Sequence, residues 1–238
     1  MTTFVLVHGA FEGGWIWSRV RELLVDAGHR GYTPTLTGCG ERYHLLDREV
    51  SLETHVEDVL GVLTWKRLHD VHLVGHSYGW TVVTQVADRA PDRIAELVYL
   101  DASAPQSGQS STGAFTEGTD EVLTEMSGDD WLLPPLPLEA VGITAPDDVA
   151  WVEPLRRAHP VRTLHEPVEL TGAGSYRRRY VRHTPNEAMV KLFGADPLQP
   201  FVERARAEGW IYREIAAGHD AMVTHPQEVV DALTGPPA

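Results

Sequence analysis

The chain has 238 residues, of which 42% are hydrophobic and 23% charged, a composition typical of a globular protein with one substantial core. Its formal net charge of −14 argues against nucleic acid or an anionic membrane surface as a partner, because both attract clusters of lysine and arginine. The single cysteine, Cys39, excludes an internal disulfide and a thiolate zinc site. Neither a secretory signal nor a membrane-spanning stretch is predicted, so we expect a cytoplasmic protein.

Short β-rich runs alternate with amphipathic segments, a pattern typical of a mostly parallel sheet with flanking crossover helices. A capping box, Ser51-Leu52-Glu53-Thr54, opens one of the helices, and Gly28 ends another. The predicted strands are 4–7, 29–33, 71–74, 94–100, 177–182 and 210–215, and the predicted helices are 13–27, 51–65, 80–89 and 226–233.

Gly75-His76-Ser77-Tyr78-Gly79 stands between the strand at 71–74 and the helix at 80–89. This G-x-S-x-G pattern is typical of a nucleophile elbow, a tight strand-to-helix turn that exposes the serine hydroxyl, with glycines where larger side chains would collide. The alternative is a glycine-rich turn whose serine only caps the helix. The setting between strand and helix favours Ser77 as a catalytic nucleophile.

A serine hydroxyl needs a base, and twelve histidines compete for that role. Chain order in this type of sheet places the base last, after the final strand, where His219 follows Gly218. His225 caps the closing helix, His76 is expected to point sideways into the packing, and His8 suits a structural hydrogen bond. We therefore predict His219 as the general base.

An acyl-transfer site also needs two N–H donors for the oxyanion. The backbone N–H of Tyr78 is predicted to be one of them. The second is expected from the glycine-containing loop after the first strand, with Ala10 preferred and Phe11 as the alternative.

The segment 103–170 breaks the alternation of strands and helices. It begins with a linker rich in Ser, Gly, Gln and Thr, continues with acidic residues, and contains the proline-broken apolar stretch 131–138. An insertion after the strand that follows the nucleophile helix predicts a small cap over the site. The alternative is a surface excursion that only packs on the core. The predicted core is then 1–102 together with 171–238.

Several stretches together resemble the α/β-hydrolase superfamily, in particular the small bacterial esterases related to plant methylesterases and hydroxynitrile lyases. The resemblance covers nearly the whole chain except the cap. It implies a serine hydrolase without a metal or other cofactor, which forms an acyl-enzyme on Ser77 while His219 accepts and returns the proton. The stretches that carry it are Phe4-Val5-Leu6-Val7-His8-Gly9-Ala10, Gly14-Trp15-Ile16-Trp17, Gly75 to Gly79, Leu100-Asp101-Ala102 and Gly218-His219-Asp220-Ala221-Met222.

The first departure from the family pattern concerns the residues beside the catalytic ones. The hydroxynitrile lyases of this branch carry a threonine after the first-loop histidine and a lysine after the catalytic histidine, where this chain has Gly9 and Asp220. An anionic neighbour would not hold a cyanide leaving group, so a lyase of that kind is disfavoured.

The second departure concerns the triad acid. The family usually supplies it just after the strand at 177–182, but Asn186 occupies that place. We predict Asp101 instead, because it ends the strand beside the elbow strand and keeps the chain order of serine, acid and histidine. Glu187, Asp196 and a triad without an acid remain open.

Aromatic and aliphatic residues dominate the predicted pocket lining, which favours esters or lactones of small, largely apolar molecules. Trp80 either narrows the acyl pocket or packs between helix and sheet. One alternative function is a cyclase, lyase or C–C bond enzyme that uses Ser77 and His219 for proton transfer. Another is a ligand-binding protein on a hydrolase scaffold. The oligomeric state is left open, with a homodimer among the alternatives. The predicted substrate-binding residues are Phe11, Trp15, Trp80, Trp131 and Leu132, with Tyr78 beside them.

Overall fold

The computed structural model describes residues 1–111, 131–172, 174–183, 190–191 and 196–236. Within these residues, eight strands lie at Thr3–Val7 (β1), Arg30–Tyr32 (β2), Val71–His76 (β3), Ile94–Leu100 (β4), Leu132–Leu133 (β5), His159–Pro160 (β6), Arg177–His183 (β7) and Ile211–Ile215 (β8). Six of them form a parallel sheet in the order β2-β1-β3-β4-β7-β8, and β5 pairs with β6 in a separate antiparallel ribbon. The chain thus has the α/β architecture predicted from the alternation of strands and helices.

The helices of the described residues lie on the connections between strands. Short 3₁₀ turns at Gly14–Trp17, Gly40–Leu45, Pro91–Arg93, Leu138–Val141 and Glu153–Leu155 accompany them. The α-helices are Ser18–Asp26 (α1), Leu52–Trp65 (α2), Gly79–Arg89 (α3), Pro146–Val152 (α4), Val161–His165 (α5), Gln199–Ala207 (α6), Ala221–Thr224 (α7) and Pro226–Thr234 (α8).

The capping box predicted for α2 is present. Thr54 N–H donates to Ser51 Oγ at 3.2 Å, and the Ser51 N–H lies 3.3 Å from Thr54 Oγ1. The helix predicted at 13–27 is instead divided into a 3₁₀ turn and α1. A Cβ on Gly14 would lie 2.1 Å from the Thr33 carbonyl oxygen, so the chain passes the second strand too closely there for a larger residue.

Both faces of the parallel sheet are covered, as the crossover helices require. Along β1, Phe4 and Leu6 belong to one buried apolar cluster, whereas Val5 and Val7 belong to the other. Successive side chains of a strand point to opposite faces, so one short strand anchors both halves of the core. This packing fixes where the carboxyl ends of the strands lie.

In sheets of this kind, ligands bind at the carboxyl ends of the strands. The loop after β1 contains Ala10, the residue after β3 is Ser77, the residue after β4 is Asp101, and the loop after β8 contains His219. The topology therefore brings the predicted catalytic residues to one edge of the sheet.

None of the helices in the described part of the chain has the length and apolar character needed to cross a membrane.

Candidate active site

Ser77 lies on a sharp turn between β3 and α3, with a backbone φ of 47°. Non-glycine residues rarely adopt this left-handed conformation, and such strain tends to occur at functional sites. A Cβ on Gly75 would approach Val83 Cγ2 to 2.5 Å, and one on Gly79 would approach the His8 carbonyl oxygen to 2.8 Å. Both glycines of the G-x-S-x-G pattern are thus required by close packing around the turn.

His219 and Asp101 are joined by a hydrogen bond. The Nδ1 atom of His219 lies 2.7 Å from Asp101 Oδ2, which leaves Nε2 as the nitrogen free for proton transfer. Asp101 follows β4 directly and, like Ser77, has a positive φ, of 43°. Its N–H donates to the Val181 carbonyl of the neighbouring β7 at 2.8 Å, which holds the turn in place.

The second oxygen of Asp101 is held separately from the first. Oδ1 accepts a hydrogen bond from the His183 N–H at 3.0 Å and another from the Arg182 guanidinium. Burial would raise the pKa of Asp101, but His183, His219 and Arg182 outweigh burial and hold that pKa well below its usual range. The carboxylate therefore stays ionised throughout the neutral range.

The charge of Asp101 acts in turn on His219. Burial disfavours the imidazolium, but the hydrogen bond and the negative charge of Asp101, together with Asp220, raise the pKa of His219 above its ordinary value. An imidazole with a raised pKa is a stronger base and holds the serine proton more firmly.

Of the alternative acids, Asp196 lines the same cavity as Ser77, and the others fall outside the described residues. Asp196 binds Arg182, with Nη2 2.9 Å and 2.8 Å from its two carboxylate oxygens. It is therefore linked to Asp101 through the guanidinium. Asn186 and Glu187 fall outside the described residues.

The loop after β1 passes very close to the nucleophile. A Cβ on Gly9 would lie 3.0 Å from Ser77 Cβ and 3.1 Å from His76 Nδ1, so only glycine lets the loop approach this far. Ala10 and Tyr78 both line the same cavity as Ser77. Tyr78 directly precedes α3, where the first N–H groups of a helix have no partner within the helix.

Hydrogen bonds hold Tyr78 and the loop that carries Ala10. Tyr78 donates its hydroxyl hydrogen to His55 Nδ1 at 2.8 Å, because the other His55 nitrogen donates to the Thr37 carbonyl at 2.9 Å. Phe11, beside Ala10, has a φ of 71° and accepts a hydrogen bond from the Arg157 N–H at 3.0 Å. The oxyanion loop is therefore tied to segment 103–170.

Two other histidines have structural partners. His8 Nδ1 donates to the Gly9 carbonyl at 2.7 Å, and its Nε2 accepts from the Leu36 N–H at 3.1 Å. Burial lowers the pKa of His8 to about 4. His225 caps α8 and contacts Thr224 Oγ1 at 2.8 Å. Neither contact involves Ser77.

Ser77, Asp101 and His219 line one cavity, whose remaining wall is mostly apolar. Trp80 lines this cavity and is 1% exposed, so its indole is buried at the cavity wall. The apolar lining includes Phe11, Trp80, Leu133, Leu136, Leu164 and Leu198.

Three predicted lining residues have other surroundings. Trp15 packs edge-on against Trp151 at 6.0 Å between ring centroids. The Arg48 guanidinium lies 5.1 Å from the Trp131 ring centroid. Leu133, and not Leu132, lines the cavity, since neighbours on a strand point to opposite sides. Within the described residues, Trp15, Trp131 and Leu132 do not contribute to the cavity wall.

The cavity wall also contains charged residues that sequence reasoning missed: Glu12, Arg156 and Arg182. Glu12 and Asp220 form a buried carboxyl pair, and burial together with the charge of Asp220 raises the pKa of Glu12 well above its usual range. Glu12 follows the predicted oxyanion loop and Asp220 follows His219. Their adjacency to catalytic candidates was the available signal.

One group of described residues, His76, His219 and Asp220, has potential metal-ligand atoms within 4.8 Å of one another. Hydrogen bonds already occupy the His219 Nδ1 atom and the His76 Nε2 atom, which contacts the His219 carbonyl at 3.1 Å. The arrangement is thus used for hydrogen bonding among the residues themselves.

Comparisons with known proteins identify the family of the chain. A model of the alpha/beta hydrolase family matches residues 4–232. The carbendazim hydrolyzing esterase of Nocardioides sp. (strain SG-4G) is 38% identical over 252 aligned positions, which cover 98% of each chain. Methylesterase 8 of Arabidopsis thaliana is 30% identical over an alignment that covers 54% of this chain and 46% of the methylesterase.

Among solved structures, an extracellular alpha/beta-hydrolase from a Paenibacillus species, described as sharing structural and functional homology with tobacco salicylic acid binding protein 2, superimposes with a TM-score of 0.83. It is 22% identical and covers 98% of each chain, so it supports the fold alone. With a family model matched over nearly its whole length and esterases among its relatives, the chain belongs to the alpha/beta hydrolase family and is an ester-hydrolysing enzyme.

Proposed function

We propose that this enzyme is a serine hydrolase that cleaves carboxylic esters or lactones of small, largely apolar molecules through an acyl-enzyme on Ser77. The observation that carries the proposal is the 2.7 Å contact between His219 Nδ1 and Asp101 Oδ2, at the wall of the cavity that Ser77 also lines. With Nδ1 committed to the carboxylate, Nε2 takes the Ser77 proton as Oγ attacks the ester carbonyl.

The tetrahedral oxyanion is stabilised by the N–H groups of Ala10 and Tyr78. His219 then gives its proton to the leaving alcohol, and water attacks the acyl-enzyme by the reverse sequence of proton transfers. Every step uses side chains and backbone groups of the chain, so the reaction proposed requires no metal or organic cofactor.

Segment 103–170 is proposed to act as the cap of this site. Its Leu133, Leu136 and Leu164 supply apolar wall, and its Arg157 holds the oxyanion loop through Phe11. An apolar cover keeps bulk water from the acyl-enzyme and favours uncharged substrates. Methyl esters of small, largely apolar acids are therefore the first substrates to test, since a methylesterase is among the relatives.

The proposal is tested by fluorophosphonate labelling and by turnover of an ester panel. Wild-type protein is expected to be labelled at Ser77 and to release alcohol from at least one ester, with a transient acyl adduct detectable by mass spectrometry. Ser77→Ala should lose both properties, whereas Ser175→Ala, at an exposed serine, should keep both. Labelling at another residue, or ester turnover by Ser77→Ala, would overturn the assignment.

A further inference from the structure

The main-chain carbonyl of His219 accepts hydrogen bonds from two buried histidines. His76 Nε2 lies 3.1 Å from this oxygen and His183 Nδ1 lies 3.0 Å from it. Because a carbonyl only accepts, each of these nitrogens carries a hydrogen. Both side chains are fully buried, and burial lowers the pKa of each, which favours neutral imidazoles.

The positions of the two histidines in the sheet explain how they reach the same atom. His76 is the last residue of β3 and His183 is the last residue of β7. These strands lie on either side of β4, which ends directly before Asp101. The two imidazoles therefore approach the His219 carbonyl from both sides of the triad acid.

Each histidine is also joined to another member of the triad. His76 directly precedes Ser77 in the chain, and the His183 N–H donates to Asp101 Oδ1 at 3.0 Å. The remaining ring nitrogens, His76 Nδ1 and His183 Nε2, have no hydrogen-bond partner among the described residues. Buried polar atoms without hydrogen-bond partners are uncommon. The placement of each ring is therefore explained by the one hydrogen bond that the ring does make, to the His219 carbonyl.

The backbone next to His219 is held at Asp220, whose N–H donates to the Val141 carbonyl at 3.0 Å. His219 follows Gly218, and its ring is fixed at Nδ1 by Asp101. One contact at the ring does not determine where the Cα atom lies. Proton transfer between Ser77 Oγ and Nε2 requires accurate placement, and an error of about 1 Å can lower turnover by on the order of 100-fold.

We propose that His76 and His183 are positioning residues that fix the catalytic base by holding the His219 carbonyl from two sides, thereby setting the distance between Ser77 and the His219 ring. The inference rests on the proposed function, since it concerns the base of that reaction. It adds two residues that act through the position of His219.

Amide substitutions test the proposal because they can retain or lose the relevant donor. Glutamine places its Nε2 where histidine has Nε2, and asparagine places its Nδ2 where histidine has Nδ1. We therefore expect His76→Gln and His183→Asn to keep kcat within a few-fold of wild type. His76→Asn and His183→Gln, which cannot place the donor, should lower kcat by about 10- to 100-fold with KM changed less than about two-fold.

The crossed pattern separates positioning from general destabilisation. A merely structural role would make Asn and Gln equivalent at each site, or make losses of activity follow losses of thermal stability, and either result would overturn the proposal. An inactive wild-type protein whose Ser77 resists fluorophosphonate would instead overturn the proposed function. The two failures are thus distinguishable.

A measurement on the unsubstituted protein covers the case in which variants do not fold. With ¹⁵N-labelled histidine, NMR should show neutral rings that carry the hydrogen on Nε2 for His76 and on Nδ1 for His183. The opposite tautomer at either residue would contradict the hydrogen bonds on which the inference depends, because the nitrogen facing the His219 carbonyl would then carry no hydrogen.

Discussion

Arg182 and His219 bind different oxygens of the same Asp101 carboxylate. The guanidinium and the His183 N–H take Oδ1, which leaves Oδ2 to His219 alone. The carboxylate is therefore oriented before His219 uses it. An Asp-to-Asn change in a serine triad leaves this geometry intact but holds the imidazole in the wrong tautomer.

Asp101→Asn is expected to lower kcat by on the order of 10⁴-fold for a good ester substrate. Asp196→Asn is the comparison variant, because that carboxylate lines the same cavity but reaches the triad acid through Arg182, and it should cost less than about tenfold. Stopped-flow or steady-state assays with an activated ester measure both. Comparable losses in the two variants would contradict Asp101 as the triad acid.

The pH dependence of activity follows from the raised pKa of His219. The base must be neutral to accept the serine proton, so kcat/KM should rise with pH through a midpoint above 6.5, the ordinary value for histidine. Asp101→Asn removes the charge that raises this pKa, and its residual activity should show a lower midpoint. A wild-type midpoint below 6.5 would contradict the electrostatics of the site.

Stability should decrease as pH falls from 7.5 to 5.5. Burial lowers the pKa values of His8, His55, His76, His159 and His183 in the folded protein, so the unfolded chain binds more protons below pH 6.5 and unfolding is favoured there. His8 alone, lowered to about 4, corresponds to about 3 kcal/mol once the pH falls below that value. His219, Glu12 and Asp220, whose pKa values are raised in the folded protein, oppose the trend, and we expect the five buried histidines to outweigh them.

Urea unfolding at the two pH values measures this difference as a change in the free energy of unfolding. The exposed His44 provides the control: His44→Gln should leave the difference between the two pH values unchanged. Equal free energies of unfolding at pH 7.5 and pH 5.5 would show that the buried histidines are not held neutral.

Trp80→Ala is expected to enlarge the acyl side of the cavity. The ratio of kcat/KM for a long-chain ester to that for an acetate should rise, while the protein loses about 3–5 kcal/mol of stability from the lost burial. Phe4→Ala, which removes a buried ring that does not line the cavity, should cost similar stability without changing the ratio. An unchanged ratio for Trp80→Ala would mean that the indole does not limit substrate size.

Gly142→Ala tests the contact between segment 103–170 and the base loop. A Cβ on Gly142 would lie 2.6 Å from Gly218 Cα, whereas one on Gly172 would meet nothing within 4 Å, and both glycines have positive φ. Both variants carry the same backbone strain, of about 1 kcal/mol. Only Gly142→Ala should lower kcat, by about tenfold or more, because it displaces the loop that carries His219.

Assays of both glycine variants at equal folded fraction, checked by circular dichroism, separate strain from displacement. Equal kcat values would show that the close approach of the two loops is irrelevant to the base.

The sequence was most informative where local chemistry decides the structure. The side chains of Ser51 and Thr54 each accept a hydrogen bond from the other residue's backbone N–H. This arrangement does not depend on distant segments, so the start of α2 could be predicted. The nucleophile elbow could be predicted for the same reason, because Gly75 and Gly79 indicate a turn too crowded for larger side chains. In contrast, the helix predicted at 13–27 is divided in the structure, where Gly14 lies against the Thr33 carbonyl. Hydrophobic periodicity does not reveal such a contact between distant segments.

The cavity wall was harder to predict because segment 103–170 supplies much of it. Successive residues of a strand face opposite sides, so an error of one position is enough to predict Leu132 where Leu133 lines the cavity. Arg156 and Arg182 carry no motif, and their placement depends on how distant segments meet. The roles of Ser77, His219 and Asp101 remain predictions, although the structure brings all three to one cavity.

The hydrogen bond from Arg157 to Phe11 has a consequence for redesign. Segment 103–170 is inserted between strands, which suggests that it could be exchanged for the corresponding segment of another hydrolase to change substrate range. Yet the Arg157 N–H holds the loop that carries Ala10, and the Asp220 N–H donates to the Val141 carbonyl at 3.0 Å beside the base. A transplanted segment that fits the rim of the core but lacks these two backbone contacts would yield a folded protein with poorly placed oxyanion and base loops.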